Sequence, residues 1–278
     1  MSVITTPYTL KKVLIIVCLL LMSVQSFATT TDYWNQSNES NSTPIDHQSW
    51  QKVLDDYLIT NHPSGVNRFR YRDVSIADKK ILKEYLLELQ GIDPRRYHKV
   101  EQMAYWINLY NALTVNLILD NYPVKSIKKL GNGFFSFGPW DDEVAEIAGH
   151  RLSLNDIEHK ILRPIWQDLR IHYAVNCASY SCPNLSAKAF TSANTNMLLD
   201  QGASDYINHT RGVSFDKGEL IVSSIYHWYL DDFGGNDQLL IKHLVHYAKP
   251  ELKKQLMKFQ GTKDHQYDWQ LNESDKTH

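Results

Sequence analysis

Tyr97–Asn121, YHKVEQMAYWINLYNALTVNLILDN, is the longest helical stretch in the chain, and the other elements must be arranged around it. Pro94 precedes it and Tyr122-Pro123 ends it, because the residue before a proline is driven out of the helical region. The stretch is apolar nearly all round, the pattern of a helix that is buried rather than laid on a surface. Asn108 and Asn111 interrupt it three residues apart, on one face. Asparagine is a poor helix former, since its amide competes with the backbone. Two buried amides need partners, or each costs about 1–3 kcal/mol. Either they pin a neighbouring loop, or they line a site and bind substrate.

Outward from this helix the pattern is helices first, a mixed middle, and helices again. His47–Thr60 carries Trp50, Val53, Leu54, Tyr57 and Leu58 at helical spacing, and Ile76–Gln90 repeats the pattern before Gly91. Glu143–Leu152 reads as a hairpin turning at Ala148-Gly149. Ser153 with Asp156 resembles a capping box opening a helix up to Pro164. Ile171–Val175 has β character, and a helix is expected near Ala193–Asn208. Val213–Phe215 and Glu219–Val222 flank the turn Asp216-Lys217-Gly218. Helices Ile225–Asp232 and Asp237–Tyr247 close the series. The fold class is α+β: one domain, mostly helical, with a small sheet made of short strands and hairpins.

The N-terminus reads as an export signal over 1–28. Lys11 and Lys12 precede the apolar run Val13–Val24, and Ser26-Phe27-Ala28 offers a small-x-small cleavage site. The run is short of the roughly 20 apolar residues a bilayer span needs, so no stable membrane span is expected after cleavage. The expected protein is periplasmic or secreted and begins near Thr29. Residues 29–44 are Ser-, Asn- and Thr-rich and read as a flexible polar leader, with formal glycosylation sequons at Asn35, Asn38 and Asn41. The domain is expected over 45–272 and a tail over 273–278. The formal net charge of −2 becomes about −4 without Lys11 and Lys12, which leaves no basic face for nucleic acid. The 12% aromatic content suits a large core.

Ile171–Leu185, IHYAVNCASYSCPNL, holds the only cysteines outside the signal, Cys177 and Cys182. In an oxidising compartment the pair can close a small disulfide loop. Alternatively Cys177 is a nucleophile activated by a histidine brought near in space. Two cysteines fall short of a zinc or iron–sulfur set. Adding His172 or His159 gives a possible mixed zinc site, but no regular ligand spacing supports it. No GxSxG, Walker loop, GxGxxG or HExxH is present, which removes several large enzyme classes, and no metal or cofactor is expected. On the preceding helix, Asp156 and His159 share a face at i,i+3 spacing, so a carboxylate there could orient an imidazole. His227 is the third-choice base. Asp231 and Asp232 sit where a helix ends and oppose its dipole, so something basic or structural should compensate them.

AYWINLYNALTVNLIL with YPVKSI, LSLNDIEHKILRP, IHYAVNCASYSCPNL, IYHWYLDDFGG and Tyr267–Asn272 resemble, in order and spacing, the blocks of the domain of unknown function 547 family, along about Trp50 to Asn272. Lys160 stands where that family usually has glycine, and His227 where it usually has lysine, which argues against His227 as a base. The resemblance implies no particular reaction. A long helix followed by strands carrying Cys and His is loosely similar to the papain and transglutaminase core, with Asn108 and Asn111 where those enzymes place cysteine. The expected site has Cys177 as nucleophile and His159 as base. Asp156 or Glu158 orients the histidine, and Asn108, Asn111 and His172 contact an amide, ester or peptide substrate, a small molecule or a peptide. The opposing reading is a non-enzymatic binding or scaffold domain with structural cysteines.

Overall fold

The computed structural model describes residues 30–131 and 138–274; the signal expected at 1–28, with Cys18, and residues 275–278 of the expected tail lie outside the described residues. In chain order come α1 (Thr30–Trp34), α2 (Gln48–Tyr57), the two-residue strands β1 (Leu58–Ile59) and β2 (Arg68–Phe69), α3 (Ile76–Gln90) and α4 (Lys99–Asn121). A hairpin β3 (Ala145–Ile147) and β4 (His150–Leu152) leads into a π-helix over Asp156–Leu162, then α5 (Arg163–Trp166) and α6 (Thr195–Ile207). Last are β5 (Val213–Asp216), β6 (Glu219–Ser223), α7 (Ser224–Trp228), α8 (Asp237–Tyr247), α9 (Pro250–Leu256) and β7 (Asp264–Gln266). The class is α+β with helices dominating. Among the described residues, no helix is long and apolar enough to cross a membrane.

Every residue of α4 from Glu101 to Val115 is buried, as its all-round apolar pattern requires. α3, the π-helix and α6 pack around it. α3 starts where Ser75 Oγ accepts the Asp78 N–H at 3.0 Å, a side-chain cap for one orphan donor. A second apolar cluster is built by Tyr206 and Ile207 of α6, Leu220 and Val222 of β6, and Leu240 and Leu244 of α8. Both longer hairpins turn through two residues with positive φ, Ala148-Gly149 and Lys217-Gly218. That conformation matches the twist of the flanking strands. β7 adds to β6 in parallel, a pairing with no signal in its short polar sequence.

Four local expectations are corrected. The flexible leader instead includes α1, whose Trp34 is 1% exposed and meets Trp106 of α4 edge-on at 5.1 Å. The polar composition hid one aromatic ring large enough to anchor the segment. Ile171–Val175 is not a strand: Leu169–Tyr173 forms a 3-10 turn begun by Asp168, whose Oδ1 accepts the Arg170 N–H at 2.9 Å. A short apolar run buried on all sides carries no period that separates strand from turn. The helix expected over Ile225–Asp232 stops at Trp228, and the chain turns through Tyr229–Gly235. The helix opened by Ser153 becomes π-helical from Asp156 to Leu162, which changes which side chains share a face.

Candidate active site

Asn108 and Asn111 turn out to be clamps. Asn108 donates Nδ2–H to Phe190 O at 2.7 Å and accepts Phe190 N–H at 2.9 Å. Asn111 donates to Ala174 O at 2.9 Å and accepts Asn176 N–H at 2.8 Å. Both amides are spent on backbone and buried, so the substrate-binding role expected of them is corrected. Asn111 thereby fixes the chain entering Cys177, while Asn108 holds the backbone at Phe190. Asn176 continues the clamp: its side chain donates to Pro183 O at 2.6 Å and accepts Ala178 N–H at 2.8 Å. The loop is thereby closed around Ala178, which is held at φ +58°. A left-handed alanine costs on the order of 1 kcal/mol and persists because its surroundings over-determine it.

This loop brings the two thiols together without bonding them. Cys177 and Cys182 are both free, with sulfurs 2.9 Å apart, against about 2.05 Å in a disulfide. Cys177 N–H donates to Cys182 Sγ at 2.9 Å, and Cys177 Sγ also lies 3.0 Å from Ser179 Oγ and 3.2 Å from Tyr267 Oη. Burial raises the Cys177 thiol, but hydrogen bonds from Cys182, Ser179 and Tyr267 outweigh it and hold the thiol below its ordinary value. Burial, then the hydrogen bond and charge of Cys177, push Cys182 well above its own. Burial likewise keeps the Tyr267 phenol protonated, so it remains a donor. The result is an asymmetric pair, a thiolate-prone Cys177 beside a Cys182 that keeps its proton.

Cys177 opens into a cavity of about 650 Å³ that Cys182, Glu158, His159 and His172 also line, walled by Trp140, Trp228, Tyr267 and Trp269. Neither His159 nor His172 is among the hydrogen-bond partners of Cys177. The direct thiol–imidazole contact expected between Cys177 and His159 is therefore absent. Asp156 is corrected as well. It accepts Ser153 N–H and Oγ–H, both at 2.8 Å, and lies 2.6 Å from Lys160 Nζ. The face rule that paired it with His159 assumes an α-helix, and the π-helical turn breaks that rule. Glu158 is buried beside both imidazoles, its Oε1 3.8 Å from His159 Nδ1 and 3.9 Å from His172 Nδ1.

A charged network that sequence reading did not assemble stands behind the histidines. Arg163 grips Asp232 with Nε at 2.6 Å and Nη2 at 2.9 Å, and its Nη1 reaches His159 Nδ1 at 2.8 Å. His172 Nε2 is 2.7 Å from the same Asp232 carboxylate. The His172 hydrogen bond first, with Arg163 after it, holds Asp232 well below the usual carboxylate range despite burial. These are the compensating groups that Asp232 was expected to need; Tyr267, Ser179 and Arg163 had no such flag beyond their place in the quoted blocks. His159 itself is lowered, by burial first and by the charges of Arg163 and His172, against the pull of Glu158. His227 stacks on His265 at 4.1 Å and is not part of the cavity lining. Among the described residues, no group of three His, Cys, Asp or Glu side chains could hold a metal ion.

Residues 94–207 match the model of the family described as protein of unknown function, DUF547, a span that runs from the turn before α4 through the π-helix and the thiol loop to the end of α6. Comparison with curated proteins and with solved structures returned no match. The matched span, residues 94–207, holds Glu158, His159, His172 and both thiols, and over that span the chain is similar to the domain of unknown function 547 family.

Proposed function

We propose that the chain is a thiol-dependent hydrolase or acyltransferase in which Cys177 is the nucleophile. The observation that carries this reading is a thiol held below its ordinary pKa by three hydrogen-bonding neighbours and open to a 650 Å³ aromatic-walled cavity. Reactive thiols need ionisation and access, and Cys177 combines them without an imidazole in contact. In the proposed reaction Cys177 Sγ attacks the carbonyl carbon of an ester, amide or peptide, and the π pair moves onto oxygen as the C–S bond forms. Collapse restores the carbonyl and breaks the bond to the leaving oxygen or nitrogen, which takes a proton. Water, or an acceptor alcohol or amine, then attacks the thioester, returns the thiolate and loses its own proton.

The test is labelling of the purified protein with iodoacetamide at pH 6.5, read by mass spectrometry. Modification is expected at Cys177 with Cys182 spared, and none is expected in Cys177→Ser. Equal, sluggish reaction at both thiols overturns the catalytic reading and leaves a binding or scaffold domain.

Export belongs to the same proposal and rests on Lys11-Lys12, the Val13–Val24 run and Ser26-Phe27-Ala28. The extracytoplasmic protein is expected to start at or near Thr29. N-terminal sequencing that finds Met1 or Ser2 on that fraction overturns it.

A further inference from the structure

The nitrogen of His159 that faces Arg163 decides what the other nitrogen can do. Arginine carries only donors and stays charged, so the 2.8 Å contact from Arg163 Nη1 makes His159 Nδ1 an acceptor. Glu158 Oε1, at 3.8 Å from the same nitrogen, is too far to compete for a proton on it. The guanidinium cannot swing away cheaply, because Nε and Nη2 are both bound to Asp232, which His172 also holds. A neutral imidazole whose Nδ1 accepts must carry its proton on Nε2. Nε2 meets no hydrogen-bond partner among the described residues, and His159 lines the cavity that Cys177 opens into. The Tyr229 ring is 5.6 Å from the His159 ring and lines the same cavity as His159 and Cys177.

We infer that His159 is a hydrogen-bond donor rather than a base, and that its Nε2–H stabilises the oxygen of the carbonyl that Cys177 attacks. This inference rests on the Cys177 reading and replaces the base role that spacing had suggested for His159. The division of labour is coherent. Cys177 is ionised by Cys182, Ser179 and Tyr267 and needs no base, while the negative charge that develops on the carbonyl oxygen needs a preorganised donor. A neutral imidazole suits that task, since its alignment is set before the charge appears. Arg163 is the positioning residue: it sets the tautomer, and Asp232 sets Arg163.

Two reactions of the same thiol separate the roles. Alkylation by iodoacetamide is a displacement at saturated carbon and develops no oxyanion, whereas acylation by p-nitrophenyl acetate does. With the full chain at neutral pH, His159→Ala should slow acylation of Cys177 on the order of 10²-fold. It should leave the alkylation rate within about twofold. His159→Gln, whose amide can donate from a similar position, should recover much of the acylation rate, and it guards against an alanine variant that folds poorly. Equal slowing of both reactions in both variants would show that His159 ionises the thiol, and no change in either would make it a bystander. Each outcome overturns the inference. If Cys177 in the unaltered protein is alkylated but never acylated, the acyl-transfer reading fails and the inference falls with it.

Discussion

The buried amides of α4 and the polar lining of the thiol cavity are satisfied differently. Asn108 and Asn111 each give and receive a backbone hydrogen bond, and nothing is left over. In the cavity, Cys177 has three hydrogen-bonding side-chain neighbours, and His159 has one nitrogen engaged and the other open. Glu158 makes no hydrogen bond among the described residues, with the His159 nitrogen 3.8 Å away. Polar groups that build a fold close their hydrogen bonds internally. Groups that act on a ligand keep one in reserve. By this measure α4 belongs to the frame, and the π-helix and the thiol loop carry the groups held in reserve.

The largest effect expected from this contrast is on the frame. Asn111→Leu strands Ala174 O and Asn176 N–H, and Asn108→Leu strands both backbone groups of Phe190, so each should cost about 2–5 kcal/mol. The two share no hydrogen-bond partner but are neighbours on one face of α4, so the double variant should lose more than either single variant, measured by denaturant unfolding. Melting temperatures that match the unaltered protein would break the comparison.

A middle case is His47, buried against Tyr85 with its Nδ1 2.7 Å from the phenol oxygen and its Nε2 without a partner. It has a hydrogen bond in reserve, as the cavity groups do, but it is not among the cavity's lining residues, so it should register in stability alone. Burial, opposed by Glu101 and Asp46, lowers it to about 4. The unfolded chain then binds a proton near pH 6.5 that the folded chain refuses until about pH 4. Folding stability should therefore fall as pH drops through that window, by up to about 3 kcal/mol from this group. His47→Phe should flatten that part of the stability–pH curve; an unchanged slope would show that folding leaves the protonation of this ring unaltered.

The smallest effect is expected inside the cavity. Glu158→Gln removes a charge that holds no hydrogen bond, and it should cost less than about 1 kcal/mol. A loss as large as that of the Asn111 variant would move Glu158 from the site to the frame.

Much of the frame was legible because it follows from local chemistry. A nearly unbroken apolar surface made α4 the core, helical spacing gave α3 over Ile76–Gln90, and Ala148-Gly149 and Lys217-Gly218 allowed the two positive-φ turns. Of the site, Cys177, Glu158, His159 and His172 were all named, and they line one cavity. Their roles were not legible. Asp156 was assigned to His159 by α-helical spacing, and the π-helix gave it to Ser153 and Lys160. Asn111 could hold a loop or a substrate, and only the position of Ala174 and Asn176 decided between them.

Sequence by itself thus determined the elements and the inventory of reactive groups, because propensity, capping and turn chemistry act over a few residues. Tertiary structure alone decided the chemistry. Tyr267 reaches Cys177 across 90 positions and Asp232 reaches Arg163 across 69. Whether a thiol ionises, and which imidazole nitrogen carries a proton, depends on neighbours that only the folded chain brings within about 3 Å.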